Sequence, residues 1–113
     1  MRVGELARRT GVSPRALRHY DQNGLLPSQR LANGYRDFPE PTVERVRRIR
    51  QLLEIGLDLD DVARLLPCFA EDGKLTPCER ARQRLHAQIT DIDARMASLR
   101  ATRRMLADEL ARL

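Results

Sequence analysis

The chain has 113 residues, 42% of them apolar and only 4% aromatic, which is enough for a modest core but not for a deep catalytic cavity. Its net charge of +5 is unevenly spread, because residues 1–50 carry eleven Arg against five acids and residues 51–66 carry one Arg against four acids. Compositional bias explains Arg over Lys, but the clustering favours a nucleic-acid partner. No apolar run is long enough to cross a membrane, and the charged start lacks an apolar signal segment. We therefore expect a cytoplasmic protein without a membrane partner.

Two short helices joined by a glycine turn are predicted at the start of the chain. The first covers residues 3–9, and Gly11 in the turn allows a positive φ. Ser13 then suits the N-cap of a second helix, and Pro14 suits its first position. This arrangement indicates a helix-turn-helix.

The second helix carries a charged stripe. Ala16, Leu17 and Tyr20 face inward, whereas spacings of three and four residues place another set of side chains on the opposite face: Arg15, Arg18, His19 and Gln22. Arg forms bidentate pairs with guanine edges, and both Arg and His hold phosphate. Considered alone, the stripe fits a solvated helix face equally well.

Residues 24–38 predict a small β-ribbon after this helix. Asn33-Gly34 is a strong hairpin-turn dipeptide, with Arg30 before it and Tyr35 and Arg36 after it. A ribbon in this place is a wing, whose Arg and Tyr side chains reach the sugar-phosphate backbone beside the groove that the helix occupies. The combination is far more specific than either half, and it favours double-stranded DNA as the partner.

Three further helices are predicted. Pro41 opens one that ends near Gly56, and Asp58 caps a short one that Pro67 stops. The run Thr76-Pro77-Cys78-Glu79 is typical of a capping box with proline in the first helical position, so the last helix is expected to begin there. Neither Gly nor Pro interrupts the chain after this point.

A narrow apolar seam runs along the last helix. Its members recur at alternating spacings of four and three residues, broken only by Arg103: Leu85, Ile89, Ile92, Met96, Leu99, Leu106, Leu110 and Leu113. A helix of about 50 Å is too long to bury this seam against a small domain, so we expect a partner helix. The simplest partner is a second copy, antiparallel or parallel. Arg103 either pairs with an acid such as Asp108 or Glu109 across the dimer, or extends into water at a frayed end.

These features resemble the mercury-resistance-regulator (MerR) family of bacterial transcription regulators. The likeness is strongest over residues 1–66 and rests on specific motifs: Gly11-Val12-Ser13, Leu17-Arg18, Tyr20, Gly24-Leu25-Leu26-Pro27, Arg30 and Gly34-Tyr35-Arg36. His19 and Phe38 stand where the family commonly has Tyr. The expected fold is mainly α. It comprises a winged helix-turn-helix DNA-binding domain with a small β-wing and two following helices over residues 1–66, a connecting loop over 67–76, and a long antiparallel coiled-coil dimerisation helix over 77–113.

The resemblance implies a homodimer in which each protomer binds half of a palindromic operator through its winged-helix domain. In this family the operator lies in an overlong promoter spacer, and effector binding kinks and untwists the DNA for RNA polymerase. By position, Arg18 and His19 are the expected groove contacts, and Tyr35 and Arg36 the expected wing contacts to phosphate. The full set of candidate DNA-binding residues is Ser13, Arg15, Arg18, His19, Arg30, Tyr35 and Arg36.

An enzyme is not expected, because no motif pairs a nucleophile with a base and no Gly-rich phosphate loop occurs. A second hypothesis is an architectural module that bends DNA or docks a partner through its coiled coil without sensing an effector. Footprinting distinguishes the two, since a regulator protects a promoter spacer and an architectural protein protects dispersed sites.

Cys68 and Cys78 flank the loop before the last helix. Cys78, expected at the second helical position, lies where backbone N–H groups and the helix dipole favour a thiolate, and it matches a position where metal-sensing members of the family place a ligand. Three interpretations stay open: structural cysteines, a thiol-reactive or disulfide redox pair, or ligands of a metal cofactor. His86 is too far along the helix to share a metal with Cys78.

Overall fold

The computed structural model describes residues 1–70 and 75–113, and the chain divides into two compact units, Met1–Thr76 and Pro77–Leu113. Residues 71–74, in the predicted connecting loop, lie outside the described part. The first unit is mainly helical with one small antiparallel sheet, and the second is a single long helix. The predicted fold class, a winged helix-turn-helix followed by a long helix, is confirmed.

Helices α1 (Val3–Thr10) and α2 (Pro14–Gln22) form the helix-turn-helix. Gly11 takes the left-handed conformation with φ +73°, and its N–H donates to the Ala7 carbonyl at the end of α1. The Ser13 hydroxyl accepts from the Ala16 N–H at 3.1 Å, so the predicted N-cap of α2 is confirmed. Local capping chemistry therefore sets both ends of the turn.

The wing follows α2 as two short antiparallel strands, β1 (Gln29–Arg30) and β2 (Arg36–Asp37). In the hairpin, the Leu31 N–H donates to the Tyr35 carbonyl at 2.7 Å, and the Asn33 side chain accepts from the Tyr35 N–H at 3.1 Å. Gly34 has φ +86°, as the predicted turn requires.

Helices α3 (Thr42–Glu54) and α4 (Leu59–Leu65) complete the helical part of the first unit. Asp58 and Asp61 form a reciprocal capping box at the start of α4, which confirms the predicted cap. Helix α4 ends two residues before Pro67, which lies inside a following 3₁₀ turn, Leu66–Cys68.

One apolar core holds the first unit together. Helix α1 packs on α2 and α3, and α3 packs on α4. The buried apolar side chains are Leu6, Val12, Leu17, Tyr20, Leu25, Leu26, Phe38, Val43, Val46, Ile49, Leu52, Leu57, Val62, Leu65, Leu66 and Cys68. Fully burying one such aliphatic or aromatic side chain contributes about 1.5–3 kcal/mol, so this core fixes the orientation of α2 and of the face it presents to solvent.

Helix α5 spans Glu79–Arg112, and the capping box predicted at its start is wrong. Cys78 is the N-cap residue, not the second helical residue, and no side-chain hydrogen bond caps the helix there. Thr76, the predicted cap, is engaged elsewhere: its hydroxyl and its N–H both donate to the Cys68 carbonyl, at 2.7 and 2.8 Å. The adjacent β-bridge between Phe69 and Leu75 holds Thr76 in this position.

The apolar seam of α5 is open to solvent in the single chain. From Ile89 to Leu110 the exposed fractions of the apolar seam residues run from 42% at Ile92 to 71% at Leu110, and the terminal Leu113 is fully exposed. Leu85 is half-buried. Across residues 1–70 and 75–113, no helix is both long and apolar enough to cross a membrane.

Candidate nucleic-acid interface

The outer face of α2 is the centre of the candidate interface. Leu17 and Tyr20 are buried beneath it, while Arg15, Arg18 and His19 are exposed. With Ser13, Ala16 and Gln22, the exposed three line an open depression of the surface. The predicted charged side chains therefore lie together on one face of α2. Ala16, predicted to face inward, is only half-buried and borders this depression. Its guanidinium and imidazole groups are donors suited to base edges and phosphates.

Tyr20 secures this helix from below. Burial raises the pKa of the Tyr20 hydroxyl above its ordinary value of 10.0, and the nearby Arg50 lowers it by a smaller amount. Arg50 also donates to the Thr10 carbonyl at 3.4 Å, at the end of α1. Tyr20 is thus a neutral core residue at physiological pH, and the charge of the interface comes from its Arg and His side chains.

The wing presents exposed side chains beside α2. Tyr35, at the hairpin, is 59% exposed, and Arg30 on β1 is exposed as well. Arg30 lies directly opposite Arg36 on β2, so two cationic side chains are neighbours across the ribbon. Like charges in this position are unfavourable, and an anion bound beside them relieves the repulsion. The wing therefore presents cationic side chains that could attract an anion such as phosphate.

A hydrogen-bonded tie connects the wing to α2. The Arg36 Nε donates to Asp21 Oδ2 at 3.0 Å, and the Ser28 hydroxyl donates to Asp21 Oδ1 at 2.7 Å. The Asp21 side chain is only 11% exposed, so water screens the ion pair weakly on that side. The Arg36 guanidinium, predicted only as a phosphate contact, is 40% exposed and also holds the wing against the reading helix.

Arg2 is a candidate contact that the sequence analysis missed. Its guanidinium carbon lies 4.5 Å from the centroid of the Tyr35 ring, within cation–π range. Arg2, Arg18, Tyr35 and Arg36 surround a depression of about 290 Å³ between α2 and the wing, with Asp21 at its edge. Because Arg18 borders both depressions, the α2 face and the wing form one continuous basic surface.

The base of the wing is anchored at two further places. Met1 and Phe38 exchange backbone hydrogen bonds at 2.7 Å, and the Met1 ammonium also pairs with Asp37 at 3.1 Å. Arg9 on α1 makes a bidentate ion pair with Glu40, just beyond the wing. The hydrogen bond from Arg9 holds the pKa of the Glu40 carboxyl below its ordinary value of 4.5. The wing is therefore tied to both helices of the motif.

The two cysteines occupy different environments. Cys68 is buried in the first unit, in the 3₁₀ turn after α4, whereas Cys78 is half-buried at the start of the second unit. No disulfide links them within the described chain. Where the chain is described, no group of three His, Cys, Asp or Glu side chains lies close enough together to hold a metal ion. These residues do not form a ready metal centre by themselves.

Comparison with known proteins agrees with this geometry. The family model described as "MerR HTH family regulatory protein" matches residues 1–67, and the model described as "MerR, DNA binding" matches residues 43–108. The mercuric resistance operon regulatory protein of Bacillus cereus is 32% identical over 108 residues, which cover 95% of this chain and 80% of that protein. Two separate family models and a relative of similar length thus point to the same family.

Solved structures give the same result. The transcription regulator PbrR691 from Ralstonia metallidurans CH34, solved with lead(II), has a TM-score of 0.75 and 30% identity over 96% of this chain and 82% of that one. HiNmlR, a MerR family regulator lacking the sensor domain and solved bound to promoter DNA, has a TM-score of 0.59 and 28% identity over 88% of this chain and 75% of that one. The chain belongs to the MerR family of DNA-binding transcriptional regulators.

Proposed function

We propose that this regulator acts as a homodimer on a palindromic operator in a promoter spacer. Residues 1–66 read the DNA, residues 67–76 connect, and residues 77–113 pair two copies through an antiparallel coiled coil. The observation that carries the proposal is the continuous basic surface of α2 and the wing, in a chain that also exposes an apolar seam along α5. The first suits DNA and the second suits another helix.

Each basic residue has a role in this proposal. Arg18 and His19 enter the major groove and contact base edges, with Ser13 and Arg15 beside them. The wing residues Arg30, Tyr35 and Arg36 contact the sugar-phosphate backbone and set the register of the helix in the groove. The tie between Asp21 and Arg36 supports this division, because it fixes the distance between the reading helix and the wing.

The proposed action is deformation of the promoter. The two DNA-binding domains of one dimer bind successive half-sites of the operator. Kinking or untwisting the duplex between them brings the promoter elements into a register that RNA polymerase uses. Smooth bending of a DNA site of about 20–30 base pairs costs on the order of 1–6 kcal/mol, an amount that the phosphate and base contacts can offset. This activity needs no catalytic group, so we propose a non-enzymatic protein that works in the cytoplasm, where a bacterial promoter lies.

Control by Cys68 and Cys78 is the second part of the proposal. The proximity of a thiol to the start of the dimer helix supports it, since a change there acts on the element that joins the two DNA-binding domains. A metal site built on these cysteines needs a further ligand, either from a second copy or from outside the described residues. Native mass spectrometry with and without reductant and chelator separates a bound metal, a loss of two hydrogens and neither. The third result removes metal and disulfide control through these cysteines and favours the architectural module.

Arg18→Ala tests the reading surface. We expect specific operator affinity to fall about 10- to 100-fold while the dimer stays intact, because one base-contacting Arg contributes about 1–3 kcal/mol. Arg112→Ala, an exposed Arg at the far end of α5, is the matched control. Full operator affinity of the Arg18 variant at moderate salt contradicts the proposal.

The wing is tested by the salt dependence of binding. We expect Arg36→Ala to reduce the slope of log affinity against log salt by about one unit, because one phosphate contact is lost. An unchanged slope removes Arg36 from the phosphate contacts.

Footprinting then places the binding site, and protection dispersed over many sites in place of a promoter spacer favours the architectural module.

A further inference from the structure

We infer that two copies of α5 pair antiparallel with their two-fold axis between Ala97 and Ser98, and that Asp93 of each copy lies between the partner's Arg100 and the partner's Arg103. The inference rests on the proposed dimer and adds its register. It assigns a role to charges that flank the seam and gives the break in the seam at Arg103 a function.

The first observation concerns which charges are already satisfied. Within α5, Asp91 pairs with Arg95 at 2.8 Å, and Glu109 pairs with Arg112. In contrast, Asp93, Arg100 and Arg103 make no ion pair in the described part of their own chain, although all three are exposed. Among the charged side chains on the seam or at the heptad positions that flank it, these three are the ones left to meet a partner.

The second observation is their position relative to the seam. The alternating spacing of the apolar residues makes α5 a heptad helix in which Arg103 lies on the seam itself. Asp93 and Arg100 lie one heptad apart, each directly after a seam residue, on the same edge of the apolar stripe. In an antiparallel pair, this edge of one helix runs beside the same edge of the other. Asp93 and Arg100 are therefore complementary across a two-fold axis between Ala97 and Ser98, about one residue from the midpoint of the two positions.

This axis also matches the apolar residues. It places each member of the seam from Leu85 to Leu110 opposite a partner's seam residue: Leu85 with Leu110, Ile89 with Leu106, Met96 with Leu99, and Ile92 with Arg103. The only polar member thus faces Ile92, the neighbour of Asp93, and the partner's Asp93 carboxylate lies within one helical turn of both Arg side chains. Arg103 keeps its charge paired at the edge of the apolar layer, which is the condition for tolerating it there.

Other registers bring like charges together. Moving the axis by half a heptad to Ala101 sets Arg100 against the partner's Arg100. Moving it equally far the other way, to Ala94, sets Asp93 against the partner's Asp93 and Arg95 against the partner's Arg95. Like charges facing across a helix pair are unfavourable, so both alternatives are disfavoured.

A parallel pair is disfavoured for a stronger reason. In a parallel, in-register pair, Arg103 meets the partner's Arg103 inside the apolar seam, where neither charge has an acid beside it. Arg95 would also lie across from the partner's Arg100 at the flanking positions. Burying two like charges without a counter-charge costs several kcal/mol, so the antiparallel orientation follows from the seam and its edges.

Complementary charge reversal tests the register. We expect Asp93→Lys and Arg100→Glu, each alone, to weaken the homodimer about tenfold or more, because two attractive contacts become repulsive in each case. Mixed together, the two variants are expected to form a heterodimer in preference to either homodimer, since Lys then faces Glu and Arg faces Asp. Asp108→Lys, with the same charge change on the outer face of the helix, is the control and leaves pairing unchanged. Native mass spectrometry reads the species directly.

The alternatives predict different results for the same variants. If the axis lies at Ala101, Asp93→Lys has no effect on pairing; if the helices are parallel, Arg100→Glu strengthens it, because the repulsion from Arg95 is removed. Either result overturns the inference. A chain that stays monomeric at micromolar concentration overturns the proposed dimer itself, so the two failures are distinguishable.

A distance measurement supplies an independent readout. A spin label at Ala111→Cys, in a Cys68→Ala, Cys78→Ser background, is expected to give an interlabel distance of about 40 Å from the 1.5 Å rise per residue. An axis at Ala101 gives about 30 Å, and a parallel pair gives about 10 Å. The latter two distances contradict the inference even if the charge variants prove difficult to interpret.

Discussion

The two units of this protein bury apolar side chains in opposite ways. In Met1–Thr76, Leu17, Val46 and Ile49 are fully enclosed by the chain's own helices. In Pro77–Leu113, seam residues such as Leu99 and Leu110 are about 70% exposed. The first unit is complete within one chain, and the second has a surface that suits another helix.

This difference suits a division of labour along the sequence, with DNA binding assigned to the first unit and helix pairing to the second in the proposed function. A core closed within one protomer gives the reading surface a geometry that does not depend on protein concentration. In the proposed dimer a second copy completes the seam, so pairing follows mass action. The stability of the two units is therefore expected to respond differently to dilution, and the following predictions test that expectation.

The largest effect is expected in the core. Leu17→Ala removes a fully buried side chain beneath the reading face, and we expect the free energy of unfolding of the first unit to fall by about 2–5 kcal/mol. Leu106→Ala, at a side chain that is 67% exposed, should leave this transition unchanged when the protein is dilute. Denaturant unfolding followed by circular dichroism measures both. Similar losses in the two variants would remove the contrast between the units.

Next in size is the effect of a charge on the seam. Leu99→Glu places a carboxylate in two symmetry-related layers of the proposed pair, so we expect the dissociation constant of the dimer to rise at least about a hundredfold, which corresponds to about 3 kcal/mol. Met105→Glu is the matched control, because Met105 is equally exposed at 68% but lies off the seam. Analytical ultracentrifugation measures both. Equal weakening by the two variants contradicts the assigned seam.

A smaller effect is expected from the tie between helix and wing. Asp21→Asn removes a negative charge near the DNA face, so electrostatics alone predicts stronger binding. We expect the opposite, a loss of a few-fold in operator affinity, because the wing is no longer held by the charged hydrogen bond from Arg36. Fluorescence anisotropy with an operator duplex measures the change, and Asp60→Asn, an exposed acid on α4, controls for the charge. Tighter binding by the Asp21 variant shows that the tie does not position the wing.

The smallest effect is expected at Glu40. Since Arg9 lowers the pKa of Glu40, the ion pair stabilises the fold above the ordinary pKa of 4.5, and this contribution disappears as the pH falls through the lower folded value. We expect Glu40→Gln to be slightly less stable than the parent near neutral pH and equal to it in acid. Both side chains are largely exposed, so the difference is small. Thermal melts from pH 6 to pH 3 measure it, and a difference that persists in acid contradicts this origin.

The helix-turn-helix and its wing could be predicted because their signals are local. Ser13 caps the helix that it precedes, and Gly11 and Gly34 have the positive φ values that their turns need. Hydrophobic spacing also predicted the burial of Leu17 and Tyr20 on α2, although not the half-exposed position of Ala16. Such features depend on residues within one or two turns of each other, so a local sequence pattern is enough to predict them.

The features that sequence reasoning missed depend on distant residues. The capping box predicted at Thr76 does not form, because the Thr76 hydroxyl donates its hydrogen bond to the Cys68 carbonyl, eight residues earlier. Arg36 and Asp21 are fifteen residues apart, and their pairing requires the wing to fold back on α2. Arg2 contacts Tyr35 from the other end of the motif. No periodicity marks such contacts, because tertiary folding selects among several available partners.

The Asp21–Arg36 tie has a consequence for how a half-site is fitted. If α2 and the wing are held at a fixed separation, the folded chain determines the distance between the two DNA-contacting elements. A duplex whose groove width does not match that distance must then deform in order to bind. Selection among DNA sequences would then depend partly on how easily each one reshapes, even at base pairs that no side chain touches.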